Sequence, residues 1–151
     1  MDAVTYPNGK VIEFLQNKVV PLQILSNAEP YATDYRVKWT PSLLIIDADG
    51  KEHHRVTGFL PPVEFIASLL LGMGKAFFNR DQFKEAIDCF DTLLSEYGYT
   101  HSAPEAVFFR GVGLYKSTHQ PEHLKKGYQK LQEQYPGSEW AKRAYPYWLL
   151  P

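Results

Sequence analysis

The apolar positions of this chain change period part-way along it. Over residues 19 to 57 they fall in short runs of strand length. From residue 63 onward they recur every three to four residues, the period of a helix. Val19-Val20-Pro21-Leu22-Gln23-Ile24-Leu25 predicts a strand rich in branched residues. Pro21 has no N–H to give a ladder, which places that strand at a sheet edge or puts the proline at its start. Tyr31, Ala32 and Tyr35 predict a helix within Asn27 to Val37. Leu43-Leu44-Ile45-Ile46 predicts a second, buried strand. Asp47-Ala48-Asp49-Gly50 is hairpin-turn chemistry, and Gly50 tolerates a positive φ. Lys51 to Thr57 alternates weakly, as a half-exposed antiparallel strand does, and Gly58 ends it. Upstream, Val11, Ile12, Phe14 and Leu15 predict a helix over residues 9 to 17, entered through the turn Pro7-Asn8-Gly9.

Pro61-Pro62 suits the first turn of a helix. Val63, Phe65, Ile66, Leu69, Leu70, Met73, Phe77 and Phe78 carry that helix to about Asn79. The next one is the most regular: Phe83, Ala86, Ile87, Phe90, Leu93, Leu94 and Tyr97 lie three and four apart. A third helix is expected from about Pro104 to Lys116. A fourth, from about Glu122 to Tyr135, has Leu124, Tyr128 and Leu131 on one stripe. Pro136-Gly137 breaks the chain. Ser138 then caps a last helix holding Trp140 and Ala144, which Pro146 is expected to stop. The fold class is therefore α+β or α/β: a small sheet with flanking helices, joined by a continuous helix to a set of α-hairpins.

With 151 residues the chain holds one ordinary domain or two small ones. A net charge of −1, with no block of Lys or Arg, argues against a nucleic-acid or anionic-membrane surface. No apolar run approaches the roughly 20 residues of a membrane span. No basic region precedes an apolar one at Met1, so a cytoplasmic location is expected.

Cys89 is the only cysteine. It forms no intramolecular disulfide and no dithiol centre, and Asp88 and Asp91 beside it work against a reactive thiolate. It reads as a packed helix residue. His119 and His123 are four apart, with no third ligand in view for a metal. His53 and His54 alternate across a strand and are expected at the surface. Asp47 and Asp49 belong to the turn. No catalytic residue set, metal site or cofactor is expected.

Val37-Lys38-Trp39-Thr40-Pro41-Ser42, followed by Leu43 to Lys51 and then Gly58, resembles the second half of a thioredoxin-like domain. Met1-Asp2-Ala3-Val4-Thr5-Tyr6-Pro7-Asn8 is similar to the helical stretch that follows the Cys-x-x-Cys loop in that family. The resemblance covers residues 1–72 as a partial domain. It lacks the first strand and the Cys-x-x-Cys loop. It implies a cis bond before Pro41. It also implies that Trp39, Thr40 and Pro41 face an extended peptide, with Thr40 offering its backbone. Thiol–disulfide exchange needs a thiolate, so the chain as given is expected to be redox-inert and not an enzyme. The absent strand leaves a gap between Val19–Leu25 and Leu43–Ile46. Closure of the two strands, filling of the gap by a second copy, and disorder are the three outcomes. The intermolecular one, a homodimer, is favoured.

Leu70, Met73, Gly74, Phe77, Ala86, Phe90, Leu93 and Gly98 resemble the tetratricopeptide (TPR) repeat, a helix pair of about 34 residues. Phe108, Tyr115, Leu124, Tyr128, Leu131 and Pro136 resemble a second repeat, with Val112 and Leu124 where the family has small residues. The TPR-like part covers residues 66–151, including a terminal cap helix, and shares the helix 63–79 with the first domain. The resemblance implies a ligand-facing inner surface of Leu71, Lys75, Phe78 and Asn79, then Phe109, Lys116 and Ser117. Leu71 and Lys75 depart from the Lys and Asn of acidic-tail binders, so an apolar or aromatic ligand, or simply packing onto another domain, is expected. The leading expectation is a non-catalytic module that binds a protein or peptide. The alternative is a thiol oxidoreductase, or a folding factor like the bacterial chaperone-like proteins that pair these two modules, with its Cys-x-x-Cys segment upstream of Met1.

Overall fold

The computed structural model describes all residues, Met1–Pro151. Seven helices and two strands follow in the order α1 (Gly9–Lys18), α2 (Tyr31–Asp34), β1 (Ser42–Ile46), β2 (Glu52–Thr57), α3 (Pro62–Phe78), α4 (Phe83–Tyr97), α5 (Ala103–Thr118), α6 (Glu122–Gln134) and α7 (Glu139–Trp148). It is a mixed α+β fold, with a small sheet at one end and a helical array at the other.

Helix α3 organises the molecule. Phe65, Ile66, Ala67, Ser68, Leu69, Leu70, Leu71, Gly72 and Gly74 are all buried, so its middle turns are covered all round. The sheet and α1 pack on it from one side, and α4 and α5 from the other. The helix runs without a break through Gly72 and Gly74, and both glycines mark close approaches. A Cβ at Gly72 would strike Ile45 and His54 of the hairpin, and one at Gly74 would strike the Phe90 ring. The glycines set how near the hairpin and α4 lie to α3, rather than forming a hinge.

β1 and β2 form a two-stranded antiparallel sheet, with Leu43 opposite Val56 and Ile45 opposite His54. Gly50 closes the turn at φ +79°. Val19–Leu25 is not a third strand. No backbone hydrogen bond reaches any residue from Val20 to Ile24. Val20 is 96% exposed, Leu22 74% and Leu25 78%. The physical reason is that a strand is defined by its ladder, and no neighbour lies beside this segment to complete one. Residues 27 to 37 yield only the single turn α2, preceded by a cis Glu29–Pro30 bond. Residues 2–7 form consecutive turns rather than a helix. They are tied to the chain before α3: the buried Thr5 hydroxyl donates to the Leu60 carbonyl at 2.6 Å, and Tyr6 meets Phe65 edge-on.

The helices α3 to α7 pack each on the next. In addition α3 meets α5, and α5 meets α7. Between α5 and α6 the close approach falls at Gly111 and Gly127, 3.6 Å from an ideal Cβ to the facing Cα. The sequence register had put it at Val112 and Leu124. Helix α7 continues through Pro146 instead of stopping there. The proline sits in the last turn, where only one backbone bond is forfeited before the helix ends at Trp148. No helix is long and apolar enough to cross a membrane.

Candidate peptide-binding site

The open edge of β1 is set by ladder phase. The Gly58 N–H donates to the Pro41 carbonyl at 2.8 Å. In an antiparallel pair, hydrogen-bonded and non-bonded positions alternate. Leu43 and Ile45 therefore direct their N–H and C=O groups toward β2, while Ser42 and Leu44 direct theirs away from it. No strand lies on that side, and no other backbone bond reaches either residue. Leu43 and Ile45 pack on the core. The opposite face carries Leu44, half-buried, and Ile46, exposed.

Trp39, Thr40 and Pro41 lead into this edge. The Thr40–Pro41 bond is cis, as the motif implied. Trp39 is 68% exposed and Thr40 is exposed, while Pro41 is half-buried. The approach to the loop is braced from β2. Arg55 donates to the Tyr35 carbonyl at 2.5 Å and to the Glu52 carboxylate, and the Tyr35 hydroxyl donates to the Gly50 carbonyl at 3.0 Å. A bulky indole, a fixed turn and unpaired backbone groups thus lie next to each other along the chain.

The inner-face residues are brought together, but mostly onto one another. Leu71 is 2% exposed and belongs to the core, so its side chain is not on a surface. Lys75 pairs with Glu105 at 2.8 Å, and its ammonium lies 5.6 Å from the centre of the Phe109 ring. Phe78 meets Phe83 and Phe109 edge-on. Phe109 also contacts Phe90, Phe108 and Trp140. Asn79 donates to His53. Lys116 and Ser117 are exposed on the last turns of α5. Trp140, which joins α7 to this aromatic row, was missed as part of the face. Its helical register, on the first helix after Pro136-Gly137, is the signal that would have found it.

The two strand histidines are buried, against the surface role expected of them. His53 donates from Nε2 to the Asp47 carboxylate at 2.8 Å. Its Nδ1 accepts from the Asn79 amide at 3.0 Å. His54 Nε2 shares a 3.0 Å hydrogen bond with the Ser68 hydroxyl. Burial, helped by the Lys75 charge and opposed by Glu52, pushes His54 down to about 4. A surface strand needs no such partners. The hairpin lies across α3, so both rings are enclosed and hydrogen-bonded. His54 does face a hydroxyl, but Ser68 is 2% exposed, so that pair is enclosed in the core.

Cys89 is half-buried on α4. Burial first, and Asp88 second, push its thiol up to about 11, with Lys18 opposing. Such a thiol is protonated and unreactive near neutral pH.

No curated protein and no solved structure matches this chain. Residues 3–71 match the family model described as a thioredoxin-like domain, and a helical region follows it.

Proposed function

We propose that this chain is a non-catalytic protein-interaction module. It takes an extended, apolar peptide of a partner protein as an added strand along the outer edge of β1, beside Trp39, Thr40 and Pro41. The observation that carries this reading is the unpaired backbone of Ser42 and Leu44, beside an indole that is 68% exposed. An edge of this kind supplies main-chain hydrogen bonds for affinity, and alternate side chains supply selectivity. Leu44 and Ile46, on the face away from the core, favour aliphatic residues in the incoming strand.

The helices contribute support more than a second site. We read α3 to α7 as TPR-type hairpins, because alternate helices meet as the inner helices of such arrays do. Lys75, Phe78 and Phe109 of their inner face are engaged by contacts within the chain. The raised thiol of Cys89 supports a role without redox chemistry.

Amide hydrogen exchange tests the proposal. Extended aliphatic peptides should slow exchange at Ser42 and Leu44, and Trp39→Ala should weaken their binding. Unchanged exchange at β1 across such peptides, measured on the monomeric chain, would overturn the reading.

A further inference from the structure

The chain contains, exposed and unpaired, a segment of the same chemistry that the β1 edge is proposed to bind. Residues Val20–Leu25 carry four aliphatic side chains, and Val20, Leu22 and Leu25 are largely in solvent. The backbone from Val20 to Ile24 makes no backbone hydrogen bond. The β1 edge lacks a strand, and this segment lacks a sheet. Both halves of one ladder are present in a single chain, yet they are not paired within it.

We infer that a second copy of this chain supplies the added strand. Val20–Leu25 of one protomer pairs with the β1 edge of its partner, and the exchange is reciprocal across a two-fold axis. This rests on the strand-edge reading above and names the ligand of that edge in the isolated protein. Isologous exchange uses the same two surfaces twice, so it closes at a dimer and covers the β1 edge of each protomer, leaving as the new edge a segment that Pro21 interrupts.

The proline fixes the phase. In a strand, successive residues turn their N–H groups to opposite sides. Pro21 has none, so it belongs on the side away from β1. Val20, Leu22 and Ile24 then direct their N–H and C=O groups to the partner's Ser42 and Leu44. Their side chains share one wholly aliphatic face. Pro21, Gln23 and Leu25 take the other. Gln23, the one polar side chain of the segment, falls beside the proline rather than among the aliphatic three. A partner peptide would have to displace this strand, so self-association and partner binding compete.

Sedimentation velocity across a concentration series tests the pairing on the full chain. The wild type should be a reversible dimer. Leu22→Pro removes an inward N–H and should weaken association by about tenfold or more. Gln23→Pro, whose N–H points outward, should leave it nearly unchanged. Position 22 is exposed and makes no backbone bond, and circular dichroism of each variant confirms that the fold is retained. A monomeric wild type, or equal effects at 22 and 23, would overturn the inference. A synthetic peptide of residues 19–25 added to the Leu22→Pro chain separates the two levels. Protection of Leu44 with a monomeric wild type sinks only the dimer. Absence of protection sinks the strand edge as well.

Discussion

His53 and Asn79 are joined at 3.0 Å, imidazole Nδ1 to side-chain amide, and that bond ties the β-hairpin to the C-terminal end of α3. Asn79 can only donate from its nitrogen, so Nδ1 accepts and the ring proton sits on Nε2. There it faces the Asp47 carboxylate at 2.8 Å. Three residues from the turn, the second strand and the helix end thus fix one tautomer. The His53 side chain is fully enclosed. The hairpin that carries the open edge is thereby held to the helix that carries the array.

Asn79→Ala leaves a buried ring nitrogen without its partner. The expected loss is about 1–3 kcal/mol of unfolding free energy. Lys116→Ala, at another residue of the supposed inner face, is exposed and should change stability by less than about 0.5 kcal/mol. Urea denaturation of the two variants separates a structural tether from a free surface. Equal, small effects would show that the His53 contact does not hold the hairpin.

The acid side of the stability profile should be shaped by His54. Its value falls from the ordinary 6.5 to about 4 on folding, burial being the main cause. The neutral ring is therefore the folded form. Its contribution is complete above pH 6.5 and is lost as pH falls toward 4, because protons bind the unfolded chain more readily. The shift corresponds to about 3 kcal/mol. His54→Gln keeps a partner for Ser68 and removes the titration. Denaturation midpoints at pH 7.5, 5.5 and 4 should converge in that variant and fall steeply in the wild type. Asp47 acts in a separate, lower window. Its carboxyl is held below the ordinary 3.8, chiefly by the His53 hydrogen bond and then by the Lys51 N–H. Its contribution is present above that value and disappears only as the pH drops through its lowered one.

What was legible in the sequence was what neighbouring residues decide. The helical periods of residues 63–97 and 103–134, the Asp47–Gly50 turn and the Thr40–Pro41 motif are local signals, and each appears in the structure. Val19–Leu25 was misread because its β-branched composition reports a preference, whereas a strand needs a partner that composition cannot supply. His53 and His54 were misread for the complementary reason. Strict alternation puts them on opposite faces, but the ladder slips between Ile45 and Ile46, and both rings reach α3: His54 at Ser68, 14 residues on, and His53 at the cap residue Asn79, 26 residues on. Leu71 was assigned to a binding surface by repeat register, and the same register cannot see that α3 is buried all round at this turn. The Gly111–Gly127 approach was missed because the family register was followed over the glycines themselves.

The glycines of the array should respond in opposite senses to alanine. A methyl group at Gly74 meets the Phe90 ring, itself fully buried. Overpacking there should cost about 1–3 kcal/mol. At Gly113 the nearest atom is Ile87 Cγ1 at 3.5 Å, ordinary contact distance. Gly113 lies inside α5, so alanine should be neutral or add up to about 1 kcal/mol through helix propensity. Thermal melts of the two variants report the difference directly. A tolerated Gly74→Ala would mean that α3 and α4 are not held at the spacing described.

Cys89 provides a chemical reading of the same packing. Its thiol lies on α4 and is pushed up to about 11, mainly by burial. At pH 7.5 the thiolate fraction is then far below that of an ordinary cysteine, whose value is 9.0. Alkylation by iodoacetamide should be slower than that of a free thiol by roughly two orders of magnitude, since the rate follows the thiolate fraction. It should reach the free-thiol rate in denaturant. Raising the pH from 7.5 to 9.5 should continue to accelerate the native reaction, with no plateau near 9. A fast reaction at neutral pH, or a plateau below pH 9, would show an activated thiol and would undo the non-catalytic assignment of the only cysteine in the chain.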